Sequence, residues 1–146
     1  MRVLGIDHGD RHVGLALSDP LLITAQPLAT YALTGREDVD RRYFQDLVAR
    51  HDVGEIVLGD PLRMDGSTGT RAGKARSFAA WLKKAVGLPV VLLDERLTTR
   101  QALKDLDDDR LRGKKKKVWE DQVAAVIILS TYLERKRGEA RGPEGD

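Results

Sequence analysis

Two carboxylates in this sequence stand directly after short apolar runs that have the composition of buried strands. Asp7 follows Val-Leu-Gly-Ile, and Glu95 follows Val-Val-Leu-Leu-Asp. In open α/β sheets, binding and catalytic residues lie at the carboxyl ends of the strands. Either side chain is therefore a candidate for a functional site there. For either of them taken alone, the first residue of a turn is the simpler interpretation.

A third carboxylate, Asp121, belongs to the last predicted helix. At helical spacing over residues 118–133, Glu120 points away from the apolar face, whereas Asp121 lies on its flank next to two alanines. Small residues let a helix approach a sheet closely, and they would carry Asp121 inward. A half-buried carboxylate needs a cationic partner, which is either a metal ion or Lys117, one turn earlier.

Three converging carboxylates would form an all-oxygen site suited to a hard cation, Mg²⁺ or Mn²⁺. Such a site activates water and stabilises the negative charge that builds up on a phosphodiester. The spacing of the three acids in the sequence does not establish that they lie together, so their convergence is a hypothesis. Four other acids are lower-ranked ligand candidates: Asp10, Asp19, Asp94 and Glu120. His8 is either a proton relay for Asp7 or, more simply, a turn residue.

The apolar pattern around these acids predicts a hairpin followed by alternating helices and strands. The second hairpin strand, over residues 13–17, has one bulky face and one very small face. This order predicts a mixed sheet with helices on both faces. Residues 1–137 are expected to form a single domain and residues 138–146 a flexible tail. The other predicted elements are an edge strand within 21–33, a helix over 36–50, a strand over 55–59, a Gly-rich loop over 59–73, a helix over 78–86, a buried strand over 90–93, and helices over 98–106 and 118–137.

The composition narrows the classes of function. The 146 residues include no cysteine, which excludes disulfides, thiol nucleophiles and thiolate-bound metals. A formal net charge of +2 does not by itself indicate a nucleic-acid partner. The longest apolar run, residues 123–129, is far shorter than the ~20 residues of a membrane span. We therefore expect a soluble cytoplasmic protein with no membrane contact.

Basic residues concentrate near the candidate acids. Six of them occupy residues 110–117 with no acid among them, and others bracket the Gly-rich loop. Either they form an ordinary solvated surface or they follow a phosphate backbone. Aromatic residues, at 5% of the chain, are too sparse for a base-stacking platform, so recognition is expected to follow the backbone. The candidate backbone contacts are Arg11, Arg63, Arg71, Lys74, Arg96, Arg112, Lys114, Lys115, Lys116 and Lys117.

Four segments of the chain resemble the motifs of the YqgF family, in the same order and across residues 3–133. The segments are residues 5–19, 59–66, 94–102 and 121–129. The resemblance implies a ribonuclease-H-like α/β fold, with a five-stranded mixed sheet whose first three strands are antiparallel, flanked by helices. It also implies a divalent-metal nuclease site at Asp7, Glu95 and Asp121.

Members of this family are described as pre-16S rRNA nucleases or as Holliday-junction-resolvase-like proteins. The resemblance therefore implies a metal-dependent endonuclease that processes the 5′ end of pre-16S rRNA in ribosome biogenesis. Two alternatives stay open: resolution of branched DNA at Holliday junctions, and binding of nucleic acid without catalysis. A homodimer suits a two-fold symmetric junction, whereas an rRNA end is compatible with a monomer.

Overall fold

A mixed β-sheet with helices on both faces organises the chain. The computed structural model describes residues 1–61, 70–94 and 114–141, of which residues 70–72, 114–119 and 139–141 are described by their backbone alone. Its elements are β1 (Arg2–His8), β2 (His12–Ser18), β3 (Ala25–Ala32), α1 (Glu37–Arg50), β4 (Val53–Asp60), α2 (Thr70–Val86), β5 (Val90–Asp94) and α3 (Lys114–Arg141).

The described strands form a five-stranded sheet in the order β3-β2-β1-β4-β5. β2 pairs antiparallel with both β1 and β3, whereas β4 pairs parallel with both β1 and β5. This confirms the expected mixed sheet with three antiparallel strands first. The carboxyl ends of β1, β4 and β5 share one edge of the sheet, and β1 lies at its centre.

Alternating side chains on the strands divide the apolar core between the two faces of the sheet. Ile6 of β1 packs with Phe44 of α1 and Leu82 of α2 on one face. Its near neighbour Val3 packs on the other face with Leu129 of α3. Each of these buried side chains contributes about 1.5–3 kcal/mol to folding. The helices therefore stabilise the central strand from both sides.

Two helices are longer than the sequence predicts. α2 begins at Thr70 and not near residue 78, so the predicted loop over residues 59–73 ends too late. Its apolar stripe of Ala75, Ala79 and Leu82 supports a longer helix, in which Gly73 costs only about 1 kcal/mol. α3 extends beyond the predicted 118–137 at both ends, because its lysines and arginines are good helix formers. None of the described helices combines the length and apolarity needed to cross a bilayer.

The two outer strands differ in how well the sequence predicts them. β3 is an edge strand, as expected, and its register shifts between the pairs Leu15–Ala29 and Ala16–Pro27. β5 was predicted to be a buried strand, but it forms the opposite edge and leaves Leu92 40% exposed. The predicted helix over residues 98–106 lies outside the described residues.

Candidate active site

Asp7 lies near the carboxyl end of the central strand, on the face of the sheet that α3 covers. The residues on either side of it point to the opposite face: Ile6 belongs to the core under α1 and α2, and His8 stacks on Phe78 of α2 with ring centroids 4.6 Å apart. Side chains along a strand alternate between faces, so the half-buried Asp7 points towards α3. His8 therefore packs against α2, on the face of the sheet opposite to Asp7.

The backbone of Asp121 lies against Gly14, the residue that pairs with Asp7 across the β1–β2 ladder. A Cβ atom on Gly14 would lie 2.6 Å from the carbonyl carbon of Asp121 and 3.3 Å from its Cα. Paired residues carry their side chains on the same face, about 5 Å apart. Asp7 and Asp121 are therefore neighbours on the α3 face. As the helical pattern predicts, Asp121 is half-buried and Glu120 is exposed.

Small residues in both elements allow this close approach of α3. A Cβ atom on Gly5 of β1 would lie 2.7 Å from Cβ of Leu129 and 3.0 Å from the carbonyl oxygen of Ala125. Ala16 and Ala125 are fully buried between the sheet and the helix. The very small face predicted for β2 is the surface on which α3 docks. We call the surface formed by Gly5 and Gly14 the glycine seat. It sets how closely Asp121 approaches the strand that carries Asp7.

Glu95, the third predicted acid, lies outside the described residues. β5 ends one residue before it, at Asp94, which pairs with Asp60 at the carboxyl edge of the sheet. Within residues 1–61, 70–94 and 114–141, no three His, Asp or Glu side chains are grouped as a metal site requires. The donors that are present suit Mg²⁺ or Mn²⁺, because Asp7 and Asp121 offer hard carboxylate oxygens from a common, half-buried face.

An ion pair between the buried Asp60 and the partly exposed Arg76, at the carboxyl ends of the strands, was not predicted from the sequence. Asp60, the last residue of β4, is only 7% exposed, and its Oδ2 accepts hydrogen bonds from Arg76 Nη2 at 3.0 Å and Arg76 Nε at 3.3 Å. Its other oxygen, Oδ1, is buried with no hydrogen-bond partner among the described residues. The signal was present in the sequence, because Asp60 ends an apolar strand as Asp7 does.

Two of the predicted basic residues lie around the turn that follows β1. Arg11 is exposed within this turn, and Lys74 of α2 contacts the carboxylate of Asp10 in the same turn, at 3.3 Å from Nζ to Oδ1. The other predicted backbone contacts are not described by their side chains or lie outside the described residues: Arg63, Arg71, Arg96, Arg112, Lys114, Lys115, Lys116 and Lys117.

Asp19, a lower-ranked ligand candidate, has a structural role at the other end of the sheet. It follows β2, whose carboxyl end lies beside the amino end of β1. Its Oδ1 accepts hydrogen bonds from the backbone N–H groups of Ile23 and Thr24, both at 2.7 Å. The bond from Thr24 is the main cause that lowers the pKa of Asp19. This carboxylate stabilises the β2–β3 loop and takes no part in the candidate site.

The sequence of this chain is similar to those of a known family of proteins. Residues 1–135 match the RuvX family, described as Holliday junction resolvase. A protein of Lachnospira eligens named "Putative pre-16S rRNA nuclease" is 45% identical over 94% of this chain and 99% of its own length. One of the same name from Pelotomaculum thermopropionicum is 43% identical over 97% of this chain and 94% of its own.

Two solved structures share the fold at low sequence identity. RuvC of T. thermophilus, bound to a Holliday junction substrate, superposes with a TM-score of 0.56 at 15% identity, over 94% of this chain and 96% of RuvC. The yeast mitochondrial Holliday junction resolvase superposes with a TM-score of 0.59 at 12% identity, over 98% of this chain and 82% of the yeast chain. The ribonuclease-H-like fold expected from the sequence is thereby confirmed.

Proposed function

The chain belongs to the RuvX (YqgF) family of nucleases, and from that premise we propose that it is a metal-dependent endonuclease that cuts the 5′ end of pre-16S rRNA. The observation that carries the proposal is the contact between the Asp121 backbone and Gly14, directly beside Asp7. Two carboxylates brought together on one half-buried face repel each other, and a bound cation would offset that repulsion.

We infer that Asp7 and Asp121, together with Glu95, hold Mg²⁺ or Mn²⁺. Such an ion, when bound, supplies positive charge that stabilises the phosphodiester transition state and favours ionisation of water. The chain's own contribution is position. β1 fixes Asp7 at the centre of the sheet, and the glycine seat fixes Asp121 against it. Arg76, oriented by Asp60, and Arg11 are available at the same edge to bind non-bridging phosphate oxygens.

Precursor rRNA is the favoured substrate because the relatives at 43–45% identity carry the pre-16S rRNA nuclease name over nearly their whole length. Ribosome biogenesis in the cytoplasm is then the setting in which the enzyme acts. A four-way DNA junction is the second candidate, because the family description names that substrate. The two substrates also differ in symmetry, so we expect a monomer on an rRNA end and a homodimer on a junction.

Cleavage assays on both substrates test this proposal. We expect the wild-type protein to cut a pre-16S RNA fragment in Mg²⁺ or Mn²⁺ and to be inactive in EDTA. Asp7→Asn and Asp121→Asn should each reduce the rate by more than about 100-fold, because even the residues that support a metal ligand are worth 10- to 100-fold. Asp46→Asn is the matched control, since Asp46 is an exposed carboxylate on α1, on the other face of the sheet.

Affinity distinguishes the enzyme from a binding module. Asp7→Asn should bind the RNA as tightly as the wild type or more tightly, because it removes a negative charge close to phosphate. Fluorescence anisotropy in EDTA measures this directly. If the wild type binds RNA and junction DNA yet cuts neither with any divalent ion, the chain is a nucleic-acid-binding module. If only the junction is cut, the substrate is branched DNA.

A further inference from the structure

A cleft of about 730 Å³ opens on the face of the sheet opposite α3. Its walls come from the turn between β1 and β2, the connection between β3 and α1, and the side of α2. The volume lies within the ~300–1,000 Å³ range of small-molecule sites. The cleft shares the β1–β2 turn with the candidate active site, yet neither Asp7 nor Asp121, the two described metal-ligand candidates, lines it.

Two aromatic side chains of α2 form the apolar wall of this cleft. Phe78 and Trp81 lie with their ring centroids 5.5 Å apart, and Phe78 is held from behind by His8. Trp81 is anchored at its polar edge, because Nε1 donates a hydrogen bond to Glu37 Oε1 at 3.2 Å. Both rings are therefore fixed in place, which lowers the entropy lost when a flat ligand stacks on them.

The charges around the cleft disfavour a phosphate inside it. Carboxylates of Asp10, Glu37 and Asp40 belong to its lining, and Arg11 alone among the described lining residues carries a permanent positive charge. Burial by itself raises the pKa of Asp40, but hydrogen bonds from Tyr31 and Thr34 outweigh burial and lower it. Asp40 is thus ionised at neutral pH. A neutral, planar group with hydrogen-bond donors on its edge fits these surroundings.

We propose that this cleft binds an unpaired base of the nucleic-acid strand that the enzyme cuts. The base would stack on Phe78 and Trp81, with the Arg11 guanidinium beside it. This inference rests on the proposed function for the identity of the strand. It also qualifies the expectation from composition, because five of the seven aromatic residues are clustered on α1, α2 and β3.

The β1–β2 turn explains how one strand could reach both places. Asp7 points to the α3 face, and the turn that follows two residues later forms a wall of the cleft, on the order of 10 Å away at ~3.3 Å per residue. Arg11 and Lys74 lie beside this turn and are exposed. A backbone that crosses the turn meets these two cations, while a base a nucleotide or so from the scissile phosphate enters the cleft.

Abasic scanning of a short unpaired RNA tests the proposal. Each nucleotide in turn loses its base but keeps its phosphate, and affinity is measured by anisotropy in EDTA, where no cleavage occurs. We expect one position to lose about 5- to 150-fold in affinity, as for a stacked base, and the others to lose little. A 2-aminopurine at that position should be quenched when the wild-type protein binds.

Substitutions assign that position to the cleft. Trp81→Leu should abolish the dependence on the sensitive base, and Trp81→Phe should retain most of it, because phenylalanine still offers a ring face. Tyr132→Leu is the matched control, since Tyr132 packs on the α3 side of the sheet. Thermal unfolding identifies any variant that fails to fold, and the 2-aminopurine signal of the wild type does not depend on the variants.

The possible results separate this proposal from the nuclease proposal. A uniform scan, or a sensitive base that persists unchanged in folded Trp81→Leu, overturns base binding in the cleft even if the protein cuts RNA. A sensitive base that Trp81→Leu abolishes supports the cleft even if no divalent ion elicits cleavage. If free 2-aminopurine riboside monophosphate is quenched as strongly as the labelled RNA and the RNA shows no positional effect, the cleft is a mononucleotide site, which would also overturn the proposal.

Discussion

Adding one methyl group at Gly14 should separate the two described acids of the candidate site. The new Cβ of Gly14→Ala would lie 2.6 Å from the carbonyl carbon of Asp121. Ordinary carbon–carbon contacts begin at about 3.5 Å, so α3 must move away by about 1 Å. The neighbouring atoms are helix backbone, which cannot rotate out of the way as a flexible side chain can.

The displacement has two expected costs. Overpacking of this kind reduces the free energy of unfolding by about 1–3 kcal/mol. A shift of about 1 Å also exceeds the ~0.5 Å tolerance of a catalytic constellation and should lower kcat about 100-fold. Urea unfolding measures the stability change, and single-turnover cleavage of the RNA fragment, with the protein well below its unfolding midpoint, measures the rate.

Two other glycines provide matched controls. Gly5→Ala would also overpack the contact with α3, but its Cβ meets Leu129 and Ala125, about two turns and one turn from Asp121, so stability should fall with a smaller loss of rate. Gly73→Ala, in α2, meets nothing within 4 Å and should stabilise the protein by about 0.5–1 kcal/mol. A folded Gly14→Ala protein that is no slower than Gly5→Ala would refute the argument that this seat sets the position of Asp121.

Three further predictions concern charge. Arg76→Ala leaves the buried carboxylate of Asp60 without its cation and should cost about 1–3 kcal/mol in urea unfolding; a loss below ~0.5 kcal/mol would mean that water replaces the arginine. Burial and a hydrogen bond to Asp40 raise the pKa of Tyr31 from 10.0 to about 12, so this pair stabilises the fold below pH 10 and stops doing so as pH rises through about 12. Tyr31→Phe should lose about 1.5–3 kcal/mol at pH 7 and show a shallower alkaline decline, and an identical pH profile would contradict this origin. Alanines at residues 114–117 should reduce the slope of log affinity against log salt by about 3 on single strands, whereas an unchanged slope would show that these lysines never meet phosphate.

Local periodicity predicted the parts of the site that depend on one element at a time. Period-two alternation gave β2 a small face, and α3 docks on that face. The positions of apolar residues around the helix predicted that Asp121 faces inward and Glu120 outward. In the structure Asp121 is half-buried and Glu120 is exposed. Both results follow because side-chain direction within a strand or helix is set by the backbone alone.

Features that depend on how two elements pack together could not be predicted from the sequence. An apolar run is compatible with both a central strand and an edge strand. The exposure of Leu92 therefore became clear only from the order of strands in the sheet. The pairing of Asp60 with Arg76 needs the position of α2 against β4. The start of α2 was misjudged because Gly73 suggested a loop, although the alanine and leucine stripe that follows supports a helix. The role of Glu95 stays a prediction, since it lies outside the described residues.

The glycine seat joins the first strand to the last described helix, and this has a consequence for the timing of activity. During synthesis the sheet and the α1–α2 layer can assemble before α3 has emerged, but Asp7 then has no Asp121 beside it. Contacts between segments so distant in sequence form late in folding. A nascent or truncated chain without α3 should therefore have no nuclease activity. Activity should appear only after α3 has been synthesised.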